Sequence, residues 1–182
     1  VRSRRQRQMC IRDRSSVKGR FEKIGKIKNK SLVFLDYAHT PDALQTCILN
    51  IREQFTDKHI SVLFGCGGDR DKGKRSKMGK IADKYADKIY LTDDNPRHER
   101  PKKIRDEIKR GIKKRQIIEI SNRKEAIAKA INNLNTGDIL IVAGKGHEKI
   151  QQIGNRKVFL SDRQIILNSV SYTHLRAHET DS

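Results

Sequence analysis

Short apolar segments alternate with longer amphipathic segments through most of this 182-residue chain, and this alternation restricts its possible folds more than any other feature. Short continuous apolar runs are typical of fully buried strands, whereas apolar residues three or four positions apart are typical of helices. The pattern predicts strands at residues 32–35, 60–64, 88–91, 116–120 and 139–143. It predicts helices over residues 40–55, 74–86, 101–112 and 122–134, and a closing helix from Ser161.

The strands are apolar throughout rather than alternating, which is the pattern of a parallel sheet covered by helices. Thr40 followed by Pro41 is a helix-starting signal, because threonine caps a helix and proline suits its first position. A polar segment at 150–158 with Gly154 and Asn155 at its middle predicts a hairpin. The sequence therefore predicts an α/β fold: a Rossmann-like, mostly parallel sheet with helices on both faces, plus a C-terminal hairpin.

Both ends of the chain differ from its middle. Residues 1–16 contain six arginines and one aspartate without periodicity, and residues 169–182 are also aperiodic. We expect both ends to be non-native or disordered tails and residues 17–168 to form a single domain.

Composition narrows the functional classes. The formal net charge is +19, but the positive charge of residues 17–168 is mostly lysine spread over helices, without the interleaved aromatic residues of a single-strand binder. No apolar stretch approaches the roughly 20 residues that span a bilayer, and no secretory signal is visible. The three cysteines have no metal-type spacing. We therefore expect a cytoplasmic, monomeric protein that neither binds nucleic acid nor inserts into membranes.

Four polar, glycine-containing loops follow predicted strands. They are residues 36–40, 65–73, 92–97 and 144–148. Because ligands of parallel sheets bind at the carboxyl ends of the strands, the four loops should open on one edge and form one site.

The loop at 92–97 ends in Asp-Asn-Pro-Arg. Pro96 fixes its own φ and favours an extended Asn95, so the turn is stiff and can hold the Arg97 guanidinium in one place. A fixed guanidinium suits two-point recognition of a carboxylate. A surface turn with a solvated arginine is the alternative interpretation.

Two further loops have more than one interpretation. Asp36 ends a strand, where a carboxylate can accept ribose hydroxyls, but loop 36–40 also fits a helix-capping turn with a surface histidine. Loop 65–73 has phosphate-loop spacing, yet Arg75 stands where a magnesium-binding Ser or Thr is needed. We favour a glycine-rich hairpin that points Arg70 inward between two aspartates; a flexible charged loop is the alternative.

Loop 144–148 reads Gly-Lys-Gly-His-Glu. Gly144 allows a ligand to approach the backbone closely, and Glu148 offers a carboxylate to an ammonium group. His147 is either catalytic or simply structural or exposed. Guanidinium groups for a carboxylate and a carboxylate for an ammonium together complement an amino acid.

The four loops resemble those of a known family. The segments Asp-Tyr-Ala-His-Thr-Pro-Asp-Ala-Leu (36–44), Phe-Gly-Cys-Gly-Gly-Asp-Arg-Asp-Lys-Gly-Lys-Arg (64–75), Thr-Asp-Asp-Asn-Pro-Arg (92–97) and Ala-Gly-Lys-Gly-His-Glu (143–148) resemble the C-terminal domain of the Mur ligases. The resemblance implies an ATP- and Mg²⁺-dependent ligase of peptidoglycan synthesis. Such an enzyme phosphorylates a carboxylate of a UDP-linked muramoyl dipeptide, and the amine of meso-diaminopimelate then displaces the phosphate.

The resemblance also implies roles for particular residues. Those expected to hold meso-diaminopimelate are Arg70, Asn95, Arg97, Gly144 and Glu148, with Asp94 and Pro96 shaping the turn. Those expected beside the nucleotide are Arg20, Asp36, Tyr37 and His39. Arg97 would select diaminopimelate over lysine, because lysine lacks the distal carboxylate and would leave the guanidinium unpaired.

The chain departs from the family by lacking two of its three domains. The UDP-substrate domain and the ATPase domain, with the phosphate loop and the magnesium ligands, have no counterpart here. We therefore expect a fragment without catalytic or metal-binding residues that binds weakly and does not turn over alone. The alternatives are a lysine-adding or folylpolyglutamate synthase-like ligase, a phosphate-loop NTPase, and a basic nucleic-acid-binding module.

Overall fold

A computed structural model describes Gly19 and residues 21–26 and 30–179, and these residues are organised around a six-stranded sheet. In chain order the strands are β1 (Glu22–Lys26), β2 (Leu32–Asp36), β3 (Ile60–Phe64), β4 (Lys88–Leu91), β5 (Ile117–Glu119) and β6 (Ile139–Ala143). Their order across the sheet is β1-β2-β6-β3-β4-β5. The most central pair, β6 and β3, is buried along its whole length, as the continuous apolar runs predict.

All strand pairs of this six-stranded sheet except one are parallel. Phe34 of β2 and Val62 of β3 both pair with Ile141 of β6, and β4 and β5 continue the parallel ladder on the far side of β3. Strand β1 pairs antiparallel with β2 at the edge. The sequence did not predict β1, because Ile24 is the one large apolar side chain in a charged segment, a composition typical of an edge strand.

The described residues form five helices, of which four connect strands of the sheet and the fifth follows the last strand. They are α1 (Pro41–Gln54), α2 (Gly73–Tyr85), α3 (Pro101–Lys109), α4 (Arg123–Asn132) and α5 (Asp162–Glu179). The predicted cap is present on α1, where the Thr40 hydroxyl accepts a hydrogen bond from the amide of Ala43. Helix α2 begins one residue before its predicted start, and its first amide, that of Gly73, donates to Asp71 Oδ1 at 2.8 Å.

The helices cover both faces of the sheet, which confirms the predicted architecture. Helices α1, α2 and α3 pack on one face around Leu44, Met78 and Ile108. Helices α4 and α5 pack on the other face around Ile127 and Ile166. The sheet is therefore the middle layer between two apolar cores, and only its edges and loop ends face solvent.

The predicted C-terminal hairpin is also present. Strands β7 (Ile150–Ile153) and β8 (Arg156–Phe159) form a separate antiparallel pair, and Gly154 in the turn has a φ of +56°. The hairpin is attached to the end of loop 92–97: the Arg97 amide donates to Gln152 O at 3.1 Å, and the Gly154 amide donates to Arg97 O at 2.7 Å. This attachment brings the hairpin to the edge of the sheet where the four loops lie.

The two ends of the chain test the domain boundaries that the sequence predicts only in part. Helix α5 continues to Glu179, so it crosses the boundary at residues 168 and 169 that the sequence suggested. The N-terminal segment 1–16 lies outside the described residues, and the division into one domain and two tails stays a prediction. Within the described ranges, no helix is long and apolar enough to cross a bilayer.

Candidate functional site

The four loops open on one edge of the sheet, as expected for strands that run in the same direction. Backbone hydrogen bonds join them directly: the Gly144 amide donates to Asp36 O at 3.1 Å, and the Gly68 amide donates to Asn95 O at 2.8 Å. The loops after β2, β3, β4 and β6 are thus parts of one surface.

Two glycines allow the loops to approach so closely. A Cβ atom on Gly68 would overlap with the carbonyl oxygen of Pro96. Gly144 has a φ of +110°, and a Cβ atom there would lie 3.0 Å from Asp94 Oδ2. A side chain at either position would push the Asp-Asn-Pro-Arg turn away from its neighbours.

A cleft of about 250 Å³ lies where this turn meets loop 144–148 and the hairpin. Two predicted site residues, Asn95 and Glu148, face each other across it, with Asn95 Nδ2 3.4 Å from Glu148 Oε2. The residues that line the cleft are Asn95, Glu148, Lys149, Ile150, Gln152 and Lys157.

Lys145 lies beneath the cleft, and sequence reasoning missed its importance. Its side chain is fully buried, and its ammonium group donates to Asn95 Oδ1 at 3.1 Å, Glu148 Oε2 at 3.2 Å and Ile150 O at 2.7 Å. Asp94 Oδ1 lies 3.9 Å away. The only signal in the sequence is its position between two glycines after a fully buried strand.

Arg97 is fixed by its backbone and by its side chain. Its φ is +49°, a left-handed conformation that non-glycine residues adopt only where their surroundings enforce it. The hairpin supplies that constraint through the two backbone bonds described above. Arg97 Nη1 also donates to Gly68 O at 2.7 Å, so the half-buried guanidinium lies against the glycine-rich loop.

Arg70 does not point inward between two aspartates, and that prediction is wrong. Its side chain is exposed, while Asp69 contacts His98 and Asp71 accepts a hydrogen bond from the Gly73 amide. Arg70 nevertheless lies beside Arg97: a Cβ atom on Gly67 would be 3.7 Å from Arg70 Cγ and 2.9 Å from Arg97 Nη1. Both arginines therefore lie on the same side of Gly67, and Arg97 is two residues beyond Asn95, which lines the cleft.

The buried arginine of this loop is Arg75. Its guanidinium donates to Glu99 Oε1 at 2.9 Å, Glu107 Oε2 at 2.6 Å and Gly67 O at 3.0 Å, and it is inaccessible to solvent. Hydrogen bonds from Arg75 hold the pKa of Glu99 at about 2, well below its ordinary range. Arg75 therefore connects the glycine-rich loop to Glu99, just before α3, and to Glu107, near the end of that helix.

We expect Glu99→Gln to lower the free energy of unfolding at neutral pH by about 2 kcal/mol, because it weakens charge-assisted bonds to a buried guanidinium. The pKa of Glu99 is lowered by folding, so its contribution is complete above about pH 4.5 and is lost as the pH falls toward 2. Urea unfolding between pH 2 and pH 7 should show a shallower pH dependence for the variant. Glu53→Gln, at an exposed position on α1, is the control; equal acid profiles for Glu99→Gln and the original chain would contradict the assignment.

His98 forms a further contact between the loops and the hairpin. Its Nδ1 lies 2.9 Å from Asp69 Oδ2 and its Nε2 lies 3.0 Å from Asn155 Oδ1. The hydrogen bond with Asn155 has the largest effect in raising the pKa of the imidazole, and the contact with Asp69 raises it further. The contact with His98 in turn lowers the pKa of Asp69. Because all three groups are exposed, this contact adds little to stability.

The residues predicted beside a nucleotide lie along loop 36–40. Both carboxylate oxygens of Asp36 accept backbone amides, from Phe21 and from Ala38, each at 2.7 Å, so this side chain shapes its own loop. The Tyr37 hydroxyl donates to Glu148 Oε1 at 3.3 Å, which links this loop to the cleft. His39 is exposed, and Arg20 lies outside the described residues. A nucleotide-binding role for these residues stays a prediction.

Comparison with known proteins identifies the family of this chain. A family model described as Mur ligase, glutamate ligase domain, matches residues 19–146. The chain therefore belongs to the Mur ligase family, as the four loop segments indicated.

Individual relatives are more specific. The chain is 52% identical over 160 residues to a UDP-N-acetylmuramoyl-L-alanyl-D-glutamate–2,6-diaminopimelate ligase of Rickettsia conorii, and the match covers 87% of the chain and 33% of the relative. It is 51% identical over 144 residues to the enzyme of the same name from Rhizobium meliloti, covering 79% of the chain and 29% of the relative. The chain thus spans about a third of the length of these relatives.

Solved structures give the same result. A structure of a UDP-N-acetylmuramoyl-L-alanyl-D-glutamate–2,6-diaminopimelate ligase superposes with a TM-score of 0.76 at 36% identity, covering 82% of the chain and 32% of that protein. A bifunctional folylpolyglutamate synthase/dihydrofolate synthase from Yersinia pestis superposes with a TM-score of 0.57 at 17% identity, covering 87% of the chain and 32% of that protein. The second match concerns the fold alone.

Proposed function

We propose that this chain is the amino-acid-binding C-terminal domain of a cytoplasmic, ATP-dependent ligase that adds meso-diaminopimelate to UDP-N-acetylmuramoyl-L-alanyl-D-glutamate in peptidoglycan synthesis. The observation that carries the proposal is that Asn95 and Glu148 face each other across the cleft, while Arg97, two residues after Asn95, holds its guanidinium against Gly68 in the neighbouring loop. Relatives at about 50% identity bear the name of this ligase, which supports the same substrate. The proposed partners are therefore meso-diaminopimelate and the UDP-linked dipeptide, bound by a monomer.

The residue types at the rim complement one amino-acid centre of the ligand. Glu148, whose side chain is about one-third exposed, accepts an ammonium group, while the amide of Asn95 and the guanidinium of Arg97 donate to a carboxylate. Diaminopimelate carries such a centre at each end, whereas lysine has only an ammonium group at its far end. If the other end of the ligand supplies the reacting amine, Arg97 has a ligand carboxylate to bind only when the substrate is diaminopimelate.

The ammonium group that Glu148 binds is protonated and lacks the lone pair needed for nucleophilic attack. Glu148 and Arg97 would therefore hold the end of the ligand that does not react, and the other amine would extend toward the dipeptide. In the proposed reaction ATP phosphorylates the dipeptide carboxylate, and that free amine displaces the phosphate to form a peptide bond. The contribution of this domain is to bind and orient the amine.

The described residues do not fit a magnesium site. Among them, no group of three or more His, Cys, Asp or Glu side chains is arranged to hold a metal ion. We assign no step of the reaction in this domain to Mg²⁺.

Ligand binding by the chain tests the proposal. NMR titration should show chemical-shift changes at Asn95, Arg97 and Glu148 with meso-diaminopimelate, and an affinity at least about tenfold lower for L-lysine. Equal affinities would contradict the assigned substrate. Incubation with ATP, Mg²⁺, UDP-linked dipeptide and meso-diaminopimelate should release no phosphate; release would contradict the view that this chain is one part of a larger ligase.

A further inference from the structure

Lys145 contacts both sides of the cleft from below. Its side chain has no accessible surface, and its bonds to Asn95, Glu148 and the Ile150 carbonyl use every N–H of the ammonium group. A lysine with this arrangement has no remaining donor for a ligand. Its role must therefore be exerted through the groups that it holds.

The Asn95 amide is oriented by two donors. Its Oδ1 accepts from Lys145 Nζ at 3.1 Å and from the Gln152 amide at 2.9 Å. Neither group can accept a hydrogen bond, so the reverse orientation of the amide would place N–H groups against N–H groups. The Nδ2 atom is consequently held on the side of Glu148, where the cleft opens.

The Glu148 carboxylate is also constrained. Its Oε2 accepts from Lys145, and its Oε1 accepts from the Tyr37 hydroxyl at 3.3 Å. Asp94 Oδ1 lies 3.9 Å from the same ammonium group, so the positive charge of Lys145 faces two carboxylates inside the protein. The ammonium group thereby offsets the electrostatic repulsion between the carboxylates of Asp94 and Glu148.

We propose that Lys145 is a positioning residue, which fixes Asn95 as a hydrogen-bond donor and Glu148 as an acceptor. The cleft can then bind the carboxylate and the ammonium group of a zwitterion at separate places. This inference rests on the proposed function for the identity of the ligand, meso-diaminopimelate. The arrangement of Lys145, Asn95 and Glu148 itself does not depend on that identity.

The first test is Lys145→Met, which removes the ammonium group and keeps an unbranched side chain that ends where Cε of lysine lies. The variant should bind meso-diaminopimelate about tenfold to a hundredfold more weakly, under conditions where circular dichroism shows that it is folded. Ile131→Ala, on α4 away from the cleft, controls for a general loss of stability and should keep the original affinity. If Lys145 acts through Asn95, the effects of Lys145→Met and Asn95→Ala should be strongly non-additive; additive effects would overturn the inference.

Asn95→Asp tests the same idea with Lys145 in place, which matters if Lys145→Met does not fold. An aspartate oxygen accepts from Lys145 and Gln152 as the amide oxygen does, so the fold should be kept. The second oxygen replaces the N–H donors, so the affinity for meso-diaminopimelate should fall at least about tenfold. An affinity equal to that of the original chain would overturn the donor role.

A measurement without ligand separates this inference from the proposed function. The side-chain Nδ2 proton signals of Asn95 should shift in Lys145→Met, because the amide loses one of the two donors that orient it. Unchanged signals would overturn the positioning role of Lys145, whatever binds in the cleft. Shifted signals in a chain that does not bind meso-diaminopimelate would instead support the positioning role and reject the proposed function.

Discussion

Arg97→Ala should lower the affinity for meso-diaminopimelate about tenfold to a hundredfold and leave the affinity for L-lysine nearly unchanged. The guanidinium lies against Gly68 at the rim, where its remaining N–H groups can pair with the distal carboxylate that lysine lacks. The backbone of Arg97 is held by the hairpin at a φ of +49°, and alanine tolerates this conformation about as well as arginine. NMR titration of the variant with both ligands measures the effect.

Two further substitutions make this test specific. Arg97→Lys keeps the charge but loses the planar fork, so its affinity for meso-diaminopimelate should lie between those of Arg97→Ala and the original chain. Arg100→Ala removes an exposed arginine three residues away and should change neither affinity. If Arg97→Ala weakened both ligands equally, the variant would have disturbed the turn as a whole, and Arg97 would not be the residue that selects diaminopimelate.

The strands and the convergence of the loops could be predicted because both depend on local pattern. Runs such as Ile139–Ala143 have no polar side chain, so they fit only a strand covered on both faces. Once the strands are parallel, their carboxyl ends must share an edge, and the loops after them must meet. Asn95 after β4 and Glu148 after β6 therefore lie at the same edge, although β3 separates these two strands in the sheet.

Which of the two arginines near the glycine-rich loop is buried could not be predicted in the same way. Arg70 follows Asp69 in the charged loop, whereas Arg75 follows Lys74 in the first turn of α2, in register with the buried Met78, Gly79 and Ala82. That helical spacing was a usable signal. Its partners Glu99 and Glu107 lie 24 and 32 residues away, and only the three-dimensional structure brings them together.

Lys145 illustrates a different limit. A lysine between two glycines in a loop is ordinarily solvated, and burial is stable here only because Asn95, Glu148 and a hairpin carbonyl surround the ammonium group. Two of these acceptors lie only three and five residues beyond Lys145, but Asn95 lies 50 residues before it. Sequence pattern therefore located the site and most of its side chains, but the buried charges that organise it depend on contacts between distant segments.

Asp162→Ala should lower the free energy of unfolding at neutral pH by about 3–5 kcal/mol, because it leaves a buried guanidinium without its counter-charge. Arg123 and Asp162 are both inaccessible to solvent and form two parallel bonds of 2.9 Å and 2.7 Å. Burial alone would lower the pKa of Arg123, but the Asp162 carboxylate outweighs it and raises that pKa. Urea unfolding followed by circular dichroism measures the loss.

The same pair should also affect the site, because Arg123 Nη2 donates to Ala143 O at 2.9 Å, immediately before loop 144–148. Arg163→Ala is the control: Arg163 follows Asp162 but is about half exposed and pairs with Glu22, so its removal should cost less than about 1 kcal/mol. The double variant Arg123→Met/Asp162→Leu removes both charges and should regain much of the lost stability. A double variant as unstable as Asp162→Ala would mean that packing, rather than the unpaired charge, causes the loss.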